Sequence, residues 1–191
     1  MPLVGLLPPD GPERALFAAE EQRLAPYLVI LAPMANDIVD DDAETYGWMA
    51  GGWWRTPSHP RNSRIQEHVA TMGWFLAHER PWNPYYRDPA LEARLDAAIG
   101  YYLGLQGPRG AWPVTYEEES LATTGFGMLA LAGTLGYLRS ISALPDRQKG
   151  SRPRCAPRPP GCWRLARTGG RRFRRLTRSS AGSRAWPARC A

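Results

Sequence analysis

The chain has 191 residues, enough for one ordinary domain with its own core, and a formal net charge of +6. Residues 1–145 carry 10 Arg against 17 Asp or Glu, a net charge of −7, whereas residues 146–191 carry 14 Lys or Arg against one Asp, a net charge of +13. Because residues 1–145 are acidic, their charge would repel nucleic acid, which excludes general electrostatic binding of nucleic acid by this part of the chain. It also lacks cysteine, since Cys155, Cys162 and Cys190 all lie in the basic tail, which excludes disulfides and thiolate metal sites in the body.

The beginning of the chain lacks the basic segment and the apolar run of a signal peptide. No apolar stretch approaches the ~20 residues that span a bilayer. The sequence therefore predicts a cytoplasmic protein with no membrane partner, whereas a longer parent protein could be secreted.

The first two predicted helices follow from apolar spacing. Residues 13–32 have apolar side chains at helical intervals, with Pro26 as a break or kink. Ser63 and Gln66 have the spacing of a capping box, in which two side chains satisfy free amides at a helix start. One apolar stripe then continues down the second helix, formed by Ile65, Val69, Met72 and Leu76.

Two further helices are predicted in the second half of the body. Asp88 and Pro89 suit the cap and first position of a helix that ends before Gly107 and Pro108. Residues 121–144 form the last helix, in which exposed glycines would be costly, so we expect them to pack closely on a neighbour. These glycines are Gly125, Gly127, Gly133 and Gly136.

No segment shows convincing alternation with a period of two, so the predicted fold class is all-α. Residues 1–145 are expected to form helical hairpins, and residues 146–191 a disordered tail rich in Arg and Pro.

The predicted loops are long and aromatic. They span residues 49–62, 78–89 and 106–120, and loops of this length are often functional. Indole and phenol rings offer flat faces for sugars or bases and a polar edge for hydrogen bonds. As a group they favour a binding groove, and the alternative is that they cap the ends of a helical bundle. The aromatic residues are Trp53, Trp54, Trp82, Tyr85, Tyr86, Trp112 and Tyr116.

Two segments carry a resemblance to a known class of proteins. Residues 101–106 (YYLGLQ) followed by 110–113 (GAWP) resemble the helix and turn of α/α-toroid proteins, which include polysaccharide lyases and triterpene cyclases. Residues 51–84, from GGWWRTPSHPRN to HERPWNP, resemble the N-terminal toroid of heparinase-like and alginate-lyase-like enzymes. The resemblance covers roughly residues 13–142 and implies an incomplete α/α toroid.

The resemblance also implies a chemistry. Lyases of this type remove the proton next to a uronate carboxylate and eliminate the 4-O-linked sugar, which needs a base, an acid and groups that neutralise the carboxylate. The implied substrate is an acidic polysaccharide or oligosaccharide, with no cofactor and no metal, and a truncated chain is expected to be inactive. The implied catalytic residues are His59, His68 and Tyr116, and the implied substrate-binding residues are Trp53, Trp54, Arg55, Asn62, Arg64, Trp82, Tyr85 and Trp112.

Two alternatives remain open for individual features. His68 lies beside Ile65 and Val69 and is equally well explained as a hydrogen-bonded histidine at the border of the core. Asn36, Asp40 and Glu44 would share one helix face and then resemble the magnesium-binding element of terpene synthases. A solvated acidic loop explains the same residues without a metal.

The tail from Asp146 also has more than one explanation. We interpret its Arg, Pro, Gly, Ser, Cys and Trp composition as a GC-rich coding region that is read out of frame, so that the body is a fragment of a longer enzyme. The alternative is a genuine basic arm of a non-enzymatic protein that binds an acidic partner, or nucleic acid non-specifically. A metal site is a weaker interpretation, because Cys155 and Cys162 have no second pair.

Overall fold

Helices contain more than half of the residues that the structure describes, so the all-α class is confirmed. The structure is a computed structural model, and it describes residues 2–11, 13–53, 58–114 and 119–150. Trp54, Arg55 and Tyr116 lie outside the described residues, as does the tail from residue 151.

The first helical region begins later than its apolar pattern predicts. Two short 3-10 helices, Arg14–Leu16 and Ala19–Leu24, lead into helix α1, Ala25–Asn36. Pro26 lies in the first turn of α1, where a missing amide proton costs nothing, so it begins this helix instead of breaking it.

The second helical region begins with a 3-10 helix, Ile65–His68, and continues as α2, Val69–Ala77. The predicted stripe is confirmed, since all four of its side chains are buried. The predicted capping box is wrong. Ser63 is buried and donates its hydroxyl to the carbonyl oxygen of Pro113. Gln66 is also buried, accepts from the Met49 amide at 2.8 Å and donates to the carbonyl oxygens of Gly47 and Ala98.

Helix α3, Pro89–Gly104, has the predicted start: the Asp88 carboxylate accepts from the Leu91 amide at 2.9 Å. A short antiparallel ladder follows, which the sequence did not predict, formed by β1, Trp112–Pro113, and β2, Glu119–Ser120. Helix α4, Leu121–Ser140, and helix α5, Pro145–Gly150, complete the described body. Arg147 of α5 forms an ion pair with Asp96 at 2.6 Å, so this contact crosses the boundary expected at residue 145.

Three contacts give the relative directions of α2 and α4. Arg64, just before α2, lies over Phe126 near the start of α4, Gly73 faces Thr134, and His78, just after α2, contacts Tyr137. The two helices therefore run parallel. Helix α3 runs the opposite way. The Arg87 amide, just before α3, donates to the carbonyl oxygen of Leu76 near the end of α2. The carbonyl oxygen of Ala98, in the second half of α3, accepts from the Gln66 side chain, which precedes α2.

The N-terminal segment, residues 2–7, is fastened to the helices by side chains. Asn36 pairs with both backbone groups of Leu6, at 2.8 and 2.9 Å, and Asp40 accepts from the Leu3 amide at 2.6 Å. Helix α1 ends at Asn36, so Asn36, Asp40 and Glu44 do not share the helix face that a terpene-synthase element requires.

Helix α4 has an apolar face that the described residues leave exposed. With 20 residues and an apolar composition, α4 is long enough to cross a membrane, so the expectation that no apolar stretch approaches this length is wrong. However, 39% of the apolar 18-residue stretch within α4 is buried in the body. Close packing of its glycines is found only at Gly127, where an added Cβ would lie 2.6 Å from the Tyr102 hydroxyl. An added Cβ at Gly125, Gly133 or Gly136 would meet no described atom within 4 Å.

Candidate functional site

Two of the predicted sugar-binding tryptophans lie in the core. Trp82 is stacked on Phe17, with ring centroids 4.2 Å apart, and its indole nitrogen donates to Glu21 at 3.0 Å. Trp112 is fully buried, and its indole nitrogen donates to the carbonyl oxygen of Tyr102 at 2.8 Å. Because protein atoms cover these rings, neither presents a free face to a sugar in this structure.

Tyr85 and Trp53 are also engaged by the body. The buried Tyr85 hydroxyl donates to the carbonyl oxygen of Leu7 at 3.0 Å, and burial raises the pKa of Tyr85 to about 12. Trp53 is half-buried against the core and has a positive φ of 27°. These four described aromatics therefore pack against the body, and they do not assemble into an open groove.

The turn before α2 contains three more predicted residues. His59 accepts the Arg61 amide at 3.1 Å through Nδ1, and Asn62 accepts the Arg64 amide at 3.2 Å. The Arg64 guanidinium forms an ion pair with Glu67 and lies 4.3 Å above the Phe126 ring. Its positive charge is therefore engaged by a carboxylate and an aromatic ring of the body.

His68 is largely buried, and its burial lowers the pKa to about 4. At neutral pH the imidazole is therefore uncharged. This agrees with the alternative interpretation, that His68 is a histidine at the border of the core.

We expect protonation of His68 to make the folded protein less stable in acid. Its pKa is 6.5 in the unfolded chain and about 4 in the folded one, so the unfolded chain takes up the proton first as the pH falls. We expect this group to lower the free energy of unfolding between pH 6.5 and 4, by up to about 3 kcal/mol. Urea unfolding across this range measures the slope. His68→Gln should flatten it, and an unchanged slope in that variant would contradict the assignment.

An open cavity of about 440 Å³ lies between the start of α1, the outer side of α2 and the second half of α4. Three helices each contribute an aromatic side chain to its rim: Tyr27 from α1, Trp74 from α2 and Tyr137 from α4. We call it the aromatic cleft. Its lining residues are Arg23, Leu24, Tyr27, Ala70, Thr71, Trp74, Phe75 and Tyr137.

Local helix geometry positions the central ring of the aromatic cleft. Trp74 and His78 are four residues apart, so they lie on one side of the helix, off the buried stripe. Their rings stack with centroids 4.3 Å apart, and Nδ1 of His78 lies 2.7 Å from the carbonyl oxygen of Trp74. Since a carbonyl can only accept, Nδ1 carries the proton of this hydrogen bond. The His78 ring also meets Tyr137 edge to face at 5.2 Å.

The charge in the aromatic cleft comes from Arg23. It is the one charged residue among the described side chains that line the cavity. The nearby carboxylate of Glu21 is bound by Arg80 at 2.5 Å and by Trp82, and the Arg80 hydrogen bond lowers its pKa. The aromatic cleft can therefore offer ring surfaces, a hydroxyl from Thr71 and one cation to a ligand.

The aromatic cleft was not predicted from the sequence, because its aromatic residues lie on helices and the predicted binding residues lie in loops. The sequence does contain one indication of the aromatic cleft. Trp74 and His78 lie off the apolar stripe that defines α2, so the packing of that stripe does not explain their large rings. A second open cavity, of about 610 Å³, is lined by groups of mixed charge, including Glu44, Arg61 and Arg147. Within the described ranges, no group of three or more His, Cys, Asp or Glu could hold a metal ion.

Comparison of this chain with protein-family models, with curated proteins and with solved structures finds no match.

Proposed function

We propose that the body is a saccharide-binding helical domain of the α/α-toroid type, belonging to a polysaccharide-lyase-like enzyme, and that its aromatic cleft binds an acidic oligosaccharide. The observation that carries the proposal is the aromatic cleft itself. Four aromatic residues from three helices and one arginine line a single open cavity.

The chemistry of the aromatic cleft suits a sugar acid. The C–H faces of a pyranose ring pack on aromatic rings, and the ring hydroxyls need hydrogen-bonding partners such as Thr71. A uronate adds one carboxylate, for which the guanidinium of Arg23 is the matching group. Arg23 is exposed, so its charge is accessible to a ligand from solvent.

The directions of the helices support the toroid part of the proposal. In stacked helical hairpins, helices of one layer run parallel and the helices between them run back in the other layer. Helices α2 and α4 run parallel and α3 runs opposite, which is the order expected for consecutive hairpins. Because such a fold closes its central groove only with all its hairpins, we propose that this chain binds saccharide without cleaving it.

Titration calorimetry with oligouronates tests the proposal. We expect Tyr27→Ala and Trp74→Ala to weaken binding about tenfold each, because each removes one ring surface from the ligand. Tyr27 is the safer variant, since its side chain is exposed and its loss leaves the core intact. Tyr46→Ala is the matched control, an exposed tyrosine outside the aromatic cleft, and it should bind as the unchanged protein does.

Neutral oligosaccharides of the same length separate ring packing from charge. The proposal expects weaker binding of the neutral sugars and a comparable loss with Arg23→Gln. If Tyr27→Ala and Tyr46→Ala both bind as tightly as the unchanged protein, the aromatic cleft is not the site. If no oligouronate produces heat, the proposed function is wrong.

A further inference from the structure

The body binds the N-terminal segment, residues 2–7, largely through the backbone of that segment. The Asn36 side chain pairs with both backbone groups of Leu6, at 2.8 and 2.9 Å. The buried Arg94 guanidinium donates to the carbonyl oxygens of Val4 at 2.9 Å and of Leu3 at 3.3 Å. Two more side chains bind the Leu3 amide and a carbonyl oxygen further along the segment. We call this set of side chains the backbone-binding groove, and it comprises Asn36, Asp40, Tyr85 and Arg94.

Only two side chains of the segment pack against the body. Leu6 is 5% exposed and Leu3 is partly buried against the core, whereas Val4 and Leu7 are 73% and 84% exposed. The groove therefore recognises a non-helical backbone that carries leucine side chains three positions apart. Main-chain hydrogen bonds combined with pockets for spaced side chains are a general way in which proteins bind extended peptides.

The connection between the segment and the body is not itself attached to the body. Residues 8–12 have the sequence PPDGP. Among the described residues, positions 8–11 form no hydrogen bond, and the backbone bends at Asp10 and Gly11. Pro8 and Pro9 have no amide proton and a fixed φ, which keeps this part of the connection stiff. The segment can therefore leave the groove as a unit, and only its own contacts with the groove are broken.

We propose that the backbone-binding groove is an interaction site for a second copy of this chain, whose N-terminal segment replaces the chain's own. In the exchanged dimer each groove makes the same contacts as in the monomer, so these contacts favour neither state. The connection decides between the two states, because its bend closes the monomer and its straightening passes the segment to a neighbour. The dimer is favoured as the protein concentration rises. The proposal does not rest on saccharide binding.

A second copy fits the groove better than the peptide of another protein does. A foreign peptide has to displace a tethered segment whose local concentration is on the order of millimolar. It also leaves the displaced Leu3 and Leu6 side chains in water. Two copies that exchange their segments refill both grooves, so no hydrogen bond and no buried leucine is lost.

A mixture of two variants of the full chain tests the proposal. Leu6→Glu spoils the segment and leaves the groove unchanged, whereas Asn36→Ala spoils the groove and leaves the segment unchanged. Asn36 is exposed, so its loss does not disturb the core. The groove of the first variant matches the segment of the second. We expect analytical ultracentrifugation to show a heterodimer at a concentration about tenfold lower than that at which either variant associates alone.

Val4→Glu is the matched control for Leu6→Glu. Val4 belongs to the same segment, but its side chain is exposed, so the variant keeps its own segment in its own groove. Mixed with Asn36→Ala, it should associate no more strongly than the unchanged chain does.

Shortening the connection is a second test. Deletion of Asp10 and Gly11 removes the bend and up to about 7 Å of reach, which strains the closed monomer and leaves the exchanged dimer open. We expect this variant to be a dimer at concentrations at which the unchanged chain is a monomer.

Three outcomes would overturn the proposal. One is a mixture of Leu6→Glu and Asn36→Ala that stays monomeric although both variants are folded by circular dichroism. Another is equally strong association of the Val4→Glu mixture, which would mean that the dimer does not form through the segment. The third is a deletion variant that stays monomeric while a synthetic peptide of residues 2–9 binds the Leu6→Glu chain, which would make the groove a site for free peptides and not for a second copy.

Discussion

Replacing Gly47 with alanine is expected to lower the free energy of unfolding by about 3 kcal/mol or more. Gly47 has a φ of +95°, which side-chain-bearing residues rarely adopt. An added Cβ would lie 2.6 Å from the carbonyl carbon of Ala97, and closer still to its oxygen. Ala97 is inside α3, so the clash is with helix backbone that cannot rotate away, and the Gly47 carbonyl would move off Gln66.

Gly133→Ala is the matched control for Gly47→Ala. Gly133 lies inside α4, and an added Cβ there would meet no described atom within 4 Å. We therefore expect this variant to raise the free energy of unfolding by roughly 0.5 to 1 kcal/mol, the usual helix preference for alanine. Chemical denaturation of both variants measures the sign of the change in the free energy of unfolding. A neutral Gly47→Ala would mean that the turn at residues 43–47 does not have the described conformation.

Arg94→Ala is expected to cost about 3 kcal/mol of stability. The side chain is buried, and its guanidinium donates to the carbonyl oxygens of Val4 and Ala35 at 2.9 Å each and of Leu3 at 3.3 Å. Burial lowers the pKa of Arg94, and the nearby Asp40 counteracts this. Truncation to alanine leaves a cavity and removes the donor from three carbonyl groups.

Limited proteolysis gives a second measurement of the Arg94 contacts. Since two of the three carbonyls belong to the N-terminal segment, Arg94→Ala should release it and make it the first site of cleavage. Arg109→Ala is the control, because Arg109 forms a surface ion pair with Glu119 and is mostly exposed. That pair should contribute no more than about 1 kcal/mol. Equal protease resistance of the Arg94→Ala variant and the unchanged chain would contradict the described contacts.

The sequence predicted the helices well where a periodic stripe defined them. The buried stripe of α2 is in place, because burial of one helix face depends only on spacing, and so is the Asp88 cap of α3. The capping box failed for a physical reason. Ser63 and Gln66 satisfy backbone groups of distant segments in the core, and a local pattern of two residues contains no information about that.

The site was harder to predict than the fold. Trp82 and Trp112 lie in loops by sequence, but their indole nitrogens donate to Glu21 and to the carbonyl oxygen of Tyr102, and the sequence does not reveal these partners. The aromatic cleft draws its rings from three helices that are distant in sequence, so only their packing brings Tyr27, Trp74 and Tyr137 together. The spacing of Trp74 and His78 was the part of this site that the sequence contained.

Nuclear magnetic resonance of the indole N–H groups tests the proposed function most directly, because each tryptophan gives its own signal. We predict that titration with an oligouronate shifts the Trp74 signal saturably and leaves the buried Trp112 signal in place. If Trp53 or Trp54 shifts while Trp74 does not, the saccharide binds at the loop that the sequence indicated and not in the aromatic cleft. If no indole signal moves at saturating sugar, the proposal that this domain binds acidic saccharides through its aromatic residues is wrong.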